Sequence, residues 1–171
     1  PWAHIDLIGA AMLLIIGFGW ARPVPVEPHR MRNPRKDMAK VALAGPLANF
    51  VAFVVLQILV VLLYTLFRFS GTRLQYIPTI IEIAAIINLN LGIFNLIPIP
   101  PLDGSKILAR FLPSTMLDFW ENLERYGFII LVLLLSTGIV SSIMDPVTSV
   151  LRRYVQSYAI SLSLLIFPKG F

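Results

Sequence analysis

The chain has 171 residues, of which 57% are hydrophobic and 13% charged, and its mean hydropathy is +0.81. A soluble domain of that length needs far more polar surface, so the expectation is an integral membrane protein. The net charge of +5 does not point to nucleic acid, because the basic residues gather in one loop with no aromatic residues alternating among them, and the absence of cysteine excludes disulfides and thiolate metal sites.

Five apolar segments follow one another. Leu7 to Trp20 is the first, short against the roughly 20 residues of a membrane span, with Gly9, Gly17 and Gly19 permitting close helix packing. The loop from Ala21 to Lys40 carries Arg22, Arg30, Arg32, Arg35, Lys36 and Lys40 against Glu27 and Asp37, and by the positive-inside rule it is cytoplasmic. Within it, Pro23-Val24-Pro25-Val26 alternates proline with valine. Proline fixes φ and lacks an N–H, so the stretch reads as extended: either a rigid connector or an edge that accepts an extended substrate. The second segment, Val41 to Phe67, is uncharged and long enough to cross with tilt. A third, Ile77 to Ile97, is interrupted by Glu82, Asn88, Asn90 and Asn95. Tyr126 to Met144 is expected to be a clean fourth span ending at Asp145-Pro146, and Tyr154 to Phe167 either crosses, lies in the interface or packs on the bundle. The doublet Arg152-Arg153 sits badly with a fourth span that exits on the outside.

The expected fold class is therefore an all-α polytopic membrane protein with about four to five membrane segments and a short extended, hairpin-like cytoplasmic loop. Residues 1–171 are expected to form one membrane-embedded domain. The chain opens on Pro1, and its first methionine, Met12, lies inside an apolar run, which reads as a fragment or a processed product without a signal peptide.

Chemistry concentrates in Asn95-Leu-Ile-Pro-Ile-Pro-Pro-Leu-Asp-Gly-Ser-Lys106. Asp103 is a carboxylate at the margin of a long uncharged stretch, costly to desolvate and so a functional candidate. Prolines 98, 100 and 101 prevent a regular helix and imply an extended passage, then a turn at Leu102-Asp103-Gly104 into a helix near Ser105. Aspartate before glycine is also an ordinary turn or cap pair. Ala44-Gly45-Pro46-Leu47-Ala48-Asn49 brings small residues, a proline and an amide to about the depth of Asp103, as a contact site or as helix glue. His4 and Asp6, two apart, could contact a metal, but such pairs are more often capping or loop residues, and His29 between Pro28 and Arg30 reads as a solvated loop residue. No H-E-x-x-H occurs in the chain.

Five stretches in order resemble the site-2 protease family of intramembrane zinc metalloproteases, in its compact prokaryotic form. They are Pro1-Trp-Ala-His-Ile-Asp-Leu-Ile-Gly9, Phe18-Gly-Trp-Ala-Arg-Pro-Val-Pro-Val26, Arg32-Asn-Pro-Arg35, Ala42-Leu-Ala-Gly-Pro-Leu-Ala-Asn49 and Phe94-Asn-Leu-Ile-Pro-Ile-Pro-Pro-Leu-Asp-Gly104. The resemblance implies one zinc ion, with Asp103 as a ligand and two histidines and a glutamate on an H-E-x-x-H helix upstream of Pro1. It further implies a substrate or oxyanion contact at Asn49 and single-span membrane proteins as substrates, cut inside or near the bilayer. Pro23 to Val26 and Asn95 are the candidate substrate contacts, and the site is expected near the cytoplasmic side of a prokaryotic cell membrane. The chain departs from the pattern at Ser105-Lys106, where glycine and then arginine or histidine are usual, and at Leu7, where proline is. Without the zinc-binding helix, the isolated chain is expected to be inactive. A pseudoprotease that binds membrane helices is the alternative, and a transporter or channel subunit with Asp103 and Glu82 on an ion path is a third reading.

Overall fold

The computed structural model describes residues 6–16, 27, 31–67 and 76–166. Among these residues every regular element is helical: α1 (Leu7–Ile16), α2 (Pro34–Phe67), α3 (Tyr76–Asn95), α4 (Asp103–Ala109), a 3-10 turn (Ser114–Met116), α5 (Leu117–Ser136) and α6 (Ile139–Ile166). The chain divides into two compact units, Pro1–Pro34 and Arg35–Phe171. In the first, Asp6 caps α1, its Oδ1 accepting the N–H groups of Ile8 at 3.0 Å and Gly9 at 2.9 Å. That is the N-cap geometry, and it gives Asp6 a structural role. The proline–valine stretch read as a hairpin-like edge lies outside the described residues, as do His4 and His29.

In the second unit the site rests on α2 and α3. Pro34 occupies the first helical position of α2, where its missing N–H costs nothing, and Asp37 in the first turn pairs with Lys40 at 2.9 Å. At about 1.5 Å per residue α2 is longer than a bilayer core is thick, so its basic first turns can stand clear of the apolar length that begins at Val41. Pro46 is buried inside the helix, a position that membrane helices tolerate where neighbours cover the freed carbonyl. Helix α3 runs back beside α2: a Cβ on Gly92 would lie 2.9 Å from the Phe50 ring, and at the other end Tyr64 Oη and Thr79 Oγ1 are 3.3 Å apart. Between these contacts Phe53 meets Ala85, Leu89 and Ile93, with Met144 and Val155 of α6 packed on the same cluster.

Polar pairs bind α6 to α3. Thr148 donates to Asn90 Oδ1 at 3.0 Å, and Glu82 Oε1 accepts from Arg152 at 2.6 Å and from Gln156 at 3.2 Å. The arginine that conflicted with the expected topology thus has its counter-charge in α3. Val51, Val55, Ile83, Phe128, Ile129 and Leu133 remain exposed, as lipid-facing residues are.

Two helices, α2 and α3, are each long and apolar enough to cross a membrane, and α5 with α6 makes a third candidate if that pair, bent by 73°, counts as one. These are the candidates among the described residues, which leave out part of the first expected segment. The clean span from Tyr126 to Met144 is not one helix, because α5 stops at Ser136. Gly138 adopts φ +73 and its N–H bonds Leu135 O at 3.2 Å while Thr137 N–H bonds Leu133 O at 3.2 Å, a left-handed glycine closing a helix end. Nor does Asp145-Pro146 end a segment: Pro146 lies inside α6, which continues through Arg152-Arg153 and takes in most of the expected last segment. No strand occurs among the described residues.

The Glu82–Arg152 pair yields a stability prediction. Either Glu82→Ala or Arg152→Ala strands the other charge against an apolar bundle and is expected to cost about 1–3 kcal/mol, the partial exposure of both side chains keeping it below a fully buried pair. The double variant should cost less than the two singles together. Chemical denaturation in detergent checks this; additive losses would mean that the pair is uncoupled.

Candidate metal centre

Helix α3 ends at Asn95 because Pro98 follows and disfavours the helical region for the residue before it. From Leu96 to Leu102 three of seven residues are proline, leaving four backbone N–H groups. All four are used within the turn: Leu96 to Ile93 O at 3.1 Å, Ile97 to Phe94 O at 3.1 Å, Ile99 to Ile97 O at 2.8 Å and Leu102 to Ile99 O at 2.9 Å. The prolines were expected to force an extended passage; instead the segment is a chain of tight turns, with a cis bond between Pro100 and Pro101. Removing donors leaves fewer groups to satisfy, so this irregular backbone closes on itself, as backbone at membrane depth must.

Leu102, in the extended region at φ −71 and ψ 158, ends the turn, and α4 starts at Asp103, two residues before the position expected. Its first turn is held from inside. Ser105 N–H bonds Leu102 O at 3.1 Å, and Ser105 Oγ, fully buried, donates to the same carbonyl at 2.7 Å.

Three glycines then fix where the Asp103 carboxylate lies. A Cβ on Gly104 would fall 2.3 Å from Leu96 O and 2.5 Å from Ile97 O, so only glycine lets α4 fold back onto the end of α3. On the other side, a Cβ on Gly127 of α5 would lie 2.6 Å from Pro100 Cβ, so α5 seats directly on the proline turn. The third is Gly45 of α2, where a Cβ would stand 3.2 Å from Asp103 Oδ2. The turn therefore delivers the carboxylate to the α2 backbone.

Asp103 is half-buried. Burial raises its carboxyl above the ordinary carboxylate value, and the Lys106 ammonium one turn on pulls it part of the way back. Its side chain accepts no hydrogen bond among the described residues. A desolvated carboxylate without a donor suits a metal ion, whose charge stabilises the ionised form. Among the described residues no three His, Cys, Asp or Glu side chains come together, so Asp103 fits as one ligand of a set that needs others.

The other sequence candidates divide. Asn49 follows Gly45 by one helical turn and so shares its side of α2; it is half-buried, as is Asn95 at the end of α3. Neither amide has a partner among the described residues, which leaves both open to a ligand. Asn88 bonds back to Ala84 O at 2.9 Å and Asn90 holds Thr148, so these two serve the bundle. Glu82 is paired with Arg152 and so also ties α6 to α3. Sequence reasoning missed the three positioning glycines. Gly45 and Gly104 were visible only as small or turn residues, while Gly127 is an isolated glycine inside a helical pattern, a sign of close packing.

Asp103 is thus a lone carboxylate that a proline turn brings against a membrane-length helix, the position that the resemblance to the site-2 proteases implies for a metal ligand. The comparisons agree. The model of peptidase family M50 matches residues 66–136, from the end of α2 through the Asp103 turn to the end of α5. YwhC of Bacillus subtilis is 34% identical over 151 residues, covering 85% of this chain and 67% of that protein. MJ0611 of Methanocaldococcus jannaschii is 33% identical over 107 residues, 63% of this chain and 52% of that protein. Both carry the provisional name zinc metalloprotease, and the chain thus spans from about half to two thirds of these relatives. No solved structure is significantly similar to it. The chain belongs to peptidase family M50, the site-2 protease family.

The glycine contacts generate a prediction for the turn. Gly104→Ala drives a methyl group into two backbone carbonyls that cannot move independently, and is expected to destabilise the protein by about 3 kcal/mol or more. Thermal unfolding in detergent measures it, and a loss under about 0.5 kcal/mol, the range of ordinary surface substitutions, would show that α4 does not depend on this approach.

Proposed function

We propose that this chain is the membrane core of a zinc-dependent endopeptidase that cuts membrane-spanning proteins. The observation that carries the reading is the Asp103 carboxylate, half-buried, accepting no hydrogen bond among the described residues, and set against Gly45 of α2. Family membership adds the metal, since the names of the relatives specify zinc. Asp103 holds one position on a single ion, and an H-E-x-x-H segment upstream of Pro1 supplies two histidines and the glutamate base. Asp103 would hold the ion together with those two histidines. Zinc, when bound, contributes Lewis acidity to the scissile carbonyl and acidifies water.

The residues of this chain orient and admit the substrate. Asn49, one turn beyond Gly45, offers an amide N–H to the oxygen that gains charge during attack. Asn95 contacts the substrate beside the turn, and Pro23 to Val26 presents an edge for an unwound strand. The substrates are transmembrane proteins, and the site lies toward the cytoplasmic side of a prokaryotic cell membrane, the side to which the positive-inside rule assigns the basic residues 21–40. Separated from its upstream ligands, the chain does not hydrolyse peptides.

Two substitutions test this in the full-length polypeptide that carries the chain. Asp103→Ala is expected to abolish cleavage of a membrane-spanning substrate and to weaken zinc binding, and cleavage at the parent rate would remove Asp103 from the ligand set. Asn49→Ala should slow cleavage by roughly 100-fold, as loss of one oxyanion donor does, with zinc content unchanged. Loss of zinc from that variant would make Asn49 a structural residue.

A further inference from the structure

Gly45 differs from the other close-contact glycines. A Cβ on Gly92, Gly104 or Gly127 would strike a ring or backbone atoms at 2.9 Å or less, which is helix and turn packing. Gly45 is exposed, and among the described residues the one atom within 4 Å of a Cβ there, outside its own helix backbone, is Asp103 Oδ2 at 3.2 Å. Packing therefore gives no reason for a glycine at this point of a long helix, where glycine is the weakest helix former after proline. The motif spends helix stability at the one position that faces the carboxylate. Pro46, next in sequence, lacks an N–H and leaves the carbonyl one turn before it without its usual helical partner, so this stretch of α2 is built at the expense of regular helix on both counts.

We propose that Gly45 is a positioning residue for the metal ligand: the missing side chain lets the Asp103 carboxylate rest against the α2 backbone with its oxygens in one orientation. A methyl group at Gly45 presses on Oδ2 and turns or shifts the carboxylate by a few tenths of an ångström, enough to spoil a coordination bond whose length is held within about 0.2 Å. This rests on the reading of Asp103 as a zinc ligand. It assigns to the glycine of the Ala-Gly-Pro sequence a role separate from helix packing, and it makes metal affinity and helix stability respond in opposite directions.

The test is a double-variant cycle in the full-length polypeptide, purified in detergent, with Gly45→Ala, Asp103→Ala and the two combined. Zinc affinity is read by competition with a chromophoric chelator, and thermal unfolding is followed on the metal-free protein. Gly45→Ala is expected to lower zinc affinity about tenfold or more, the usual scale for disturbing a ligand's orientation, while the metal-free midpoint stays the same or rises. On the Asp103→Ala background the same substitution should leave zinc affinity unchanged, because the ligand it positions is gone. Gly45→Ser serves as a second variant, with a side chain that also reaches Oδ2, and the same loss is expected. The two claims separate cleanly. If Asp103→Ala leaves zinc affinity intact, the ligand reading fails. If Asp103→Ala weakens zinc but Gly45→Ala does not, or if its effect persists on the Asp103→Ala background, the positioning role of Gly45 is overturned. A lowered metal-free midpoint in both Gly45 variants overturns it as well, since that is the mark of a packing glycine.

Discussion

The close approach of Gly104 to the carbonyls of Leu96 and Ile97 sets the geometry on which the site depends. A side chain there has no room, so the chain can reverse from the end of α3 into α4 within a few residues and carry Asp103 back toward α2. The reversal would be untenable in a membrane protein if it left polar backbone exposed. Three prolines remove donors and the remaining N–H groups are paired inside the turn, so the donors of the irregular segment are satisfied without water. Steric permission at one glycine and hydrogen-bond closure through the prolines belong to the same device.

The bundle around that turn is a support for it. Phe53, Ala85, Leu89 and Ile93 lock α2 to α3, which keeps Gly45 and the end of α3 in a fixed relation. Polar pairs at Asn90–Thr148 and Glu82–Arg152 hold α6 on α3 away from the site, and α5 returns over the turn at Gly127. The glutamate that one reading of the sequence placed on an ion path is engaged in this clamp. Glu82 and Arg152 thus serve to hold helices together, whereas the Asp103 carboxylate accepts no hydrogen bond among the described residues.

Much of this was legible from residue order. The two helices that carry the site follow from apolar runs of sufficient length; α3 matches its range within two residues, while α2 begins at Pro34, about two turns before the apolar range read from Val41. Asp103 stood out because a carboxylate at the end of an apolar stretch needs a reason. The break at Gly138 was not legible, since Leu-Leu-Leu-Ser-Thr-Gly-Ile-Val stays apolar across it and hydropathy does not record a change of direction. Pro146 misled in the opposite sense: proline disfavours the helix before it, but neighbouring helices can cover the freed carbonyl and let α6 run through. The contacts of Gly45 and Gly127 lie between residues far apart in sequence, so no local pattern announces them. The same is true of the pairing of Arg152 with Glu82, which resolves the charge that hydropathy and the positive-inside rule left unplaced.

The central claim is that the Asp103 carboxylate, held by the proline turn, is a direct ligand of a catalytic zinc. X-ray absorption at the zinc edge of the full-length polypeptide, compared with its Asp103→Ala variant, tests that claim at the metal itself. The account predicts a four-coordinate site with imidazole scattering and light oxygen or nitrogen ligands at about 2.0–2.2 Å, and a changed first coordination sphere or loss of the metal in the variant. A fully loaded variant with an unchanged spectrum would contradict it.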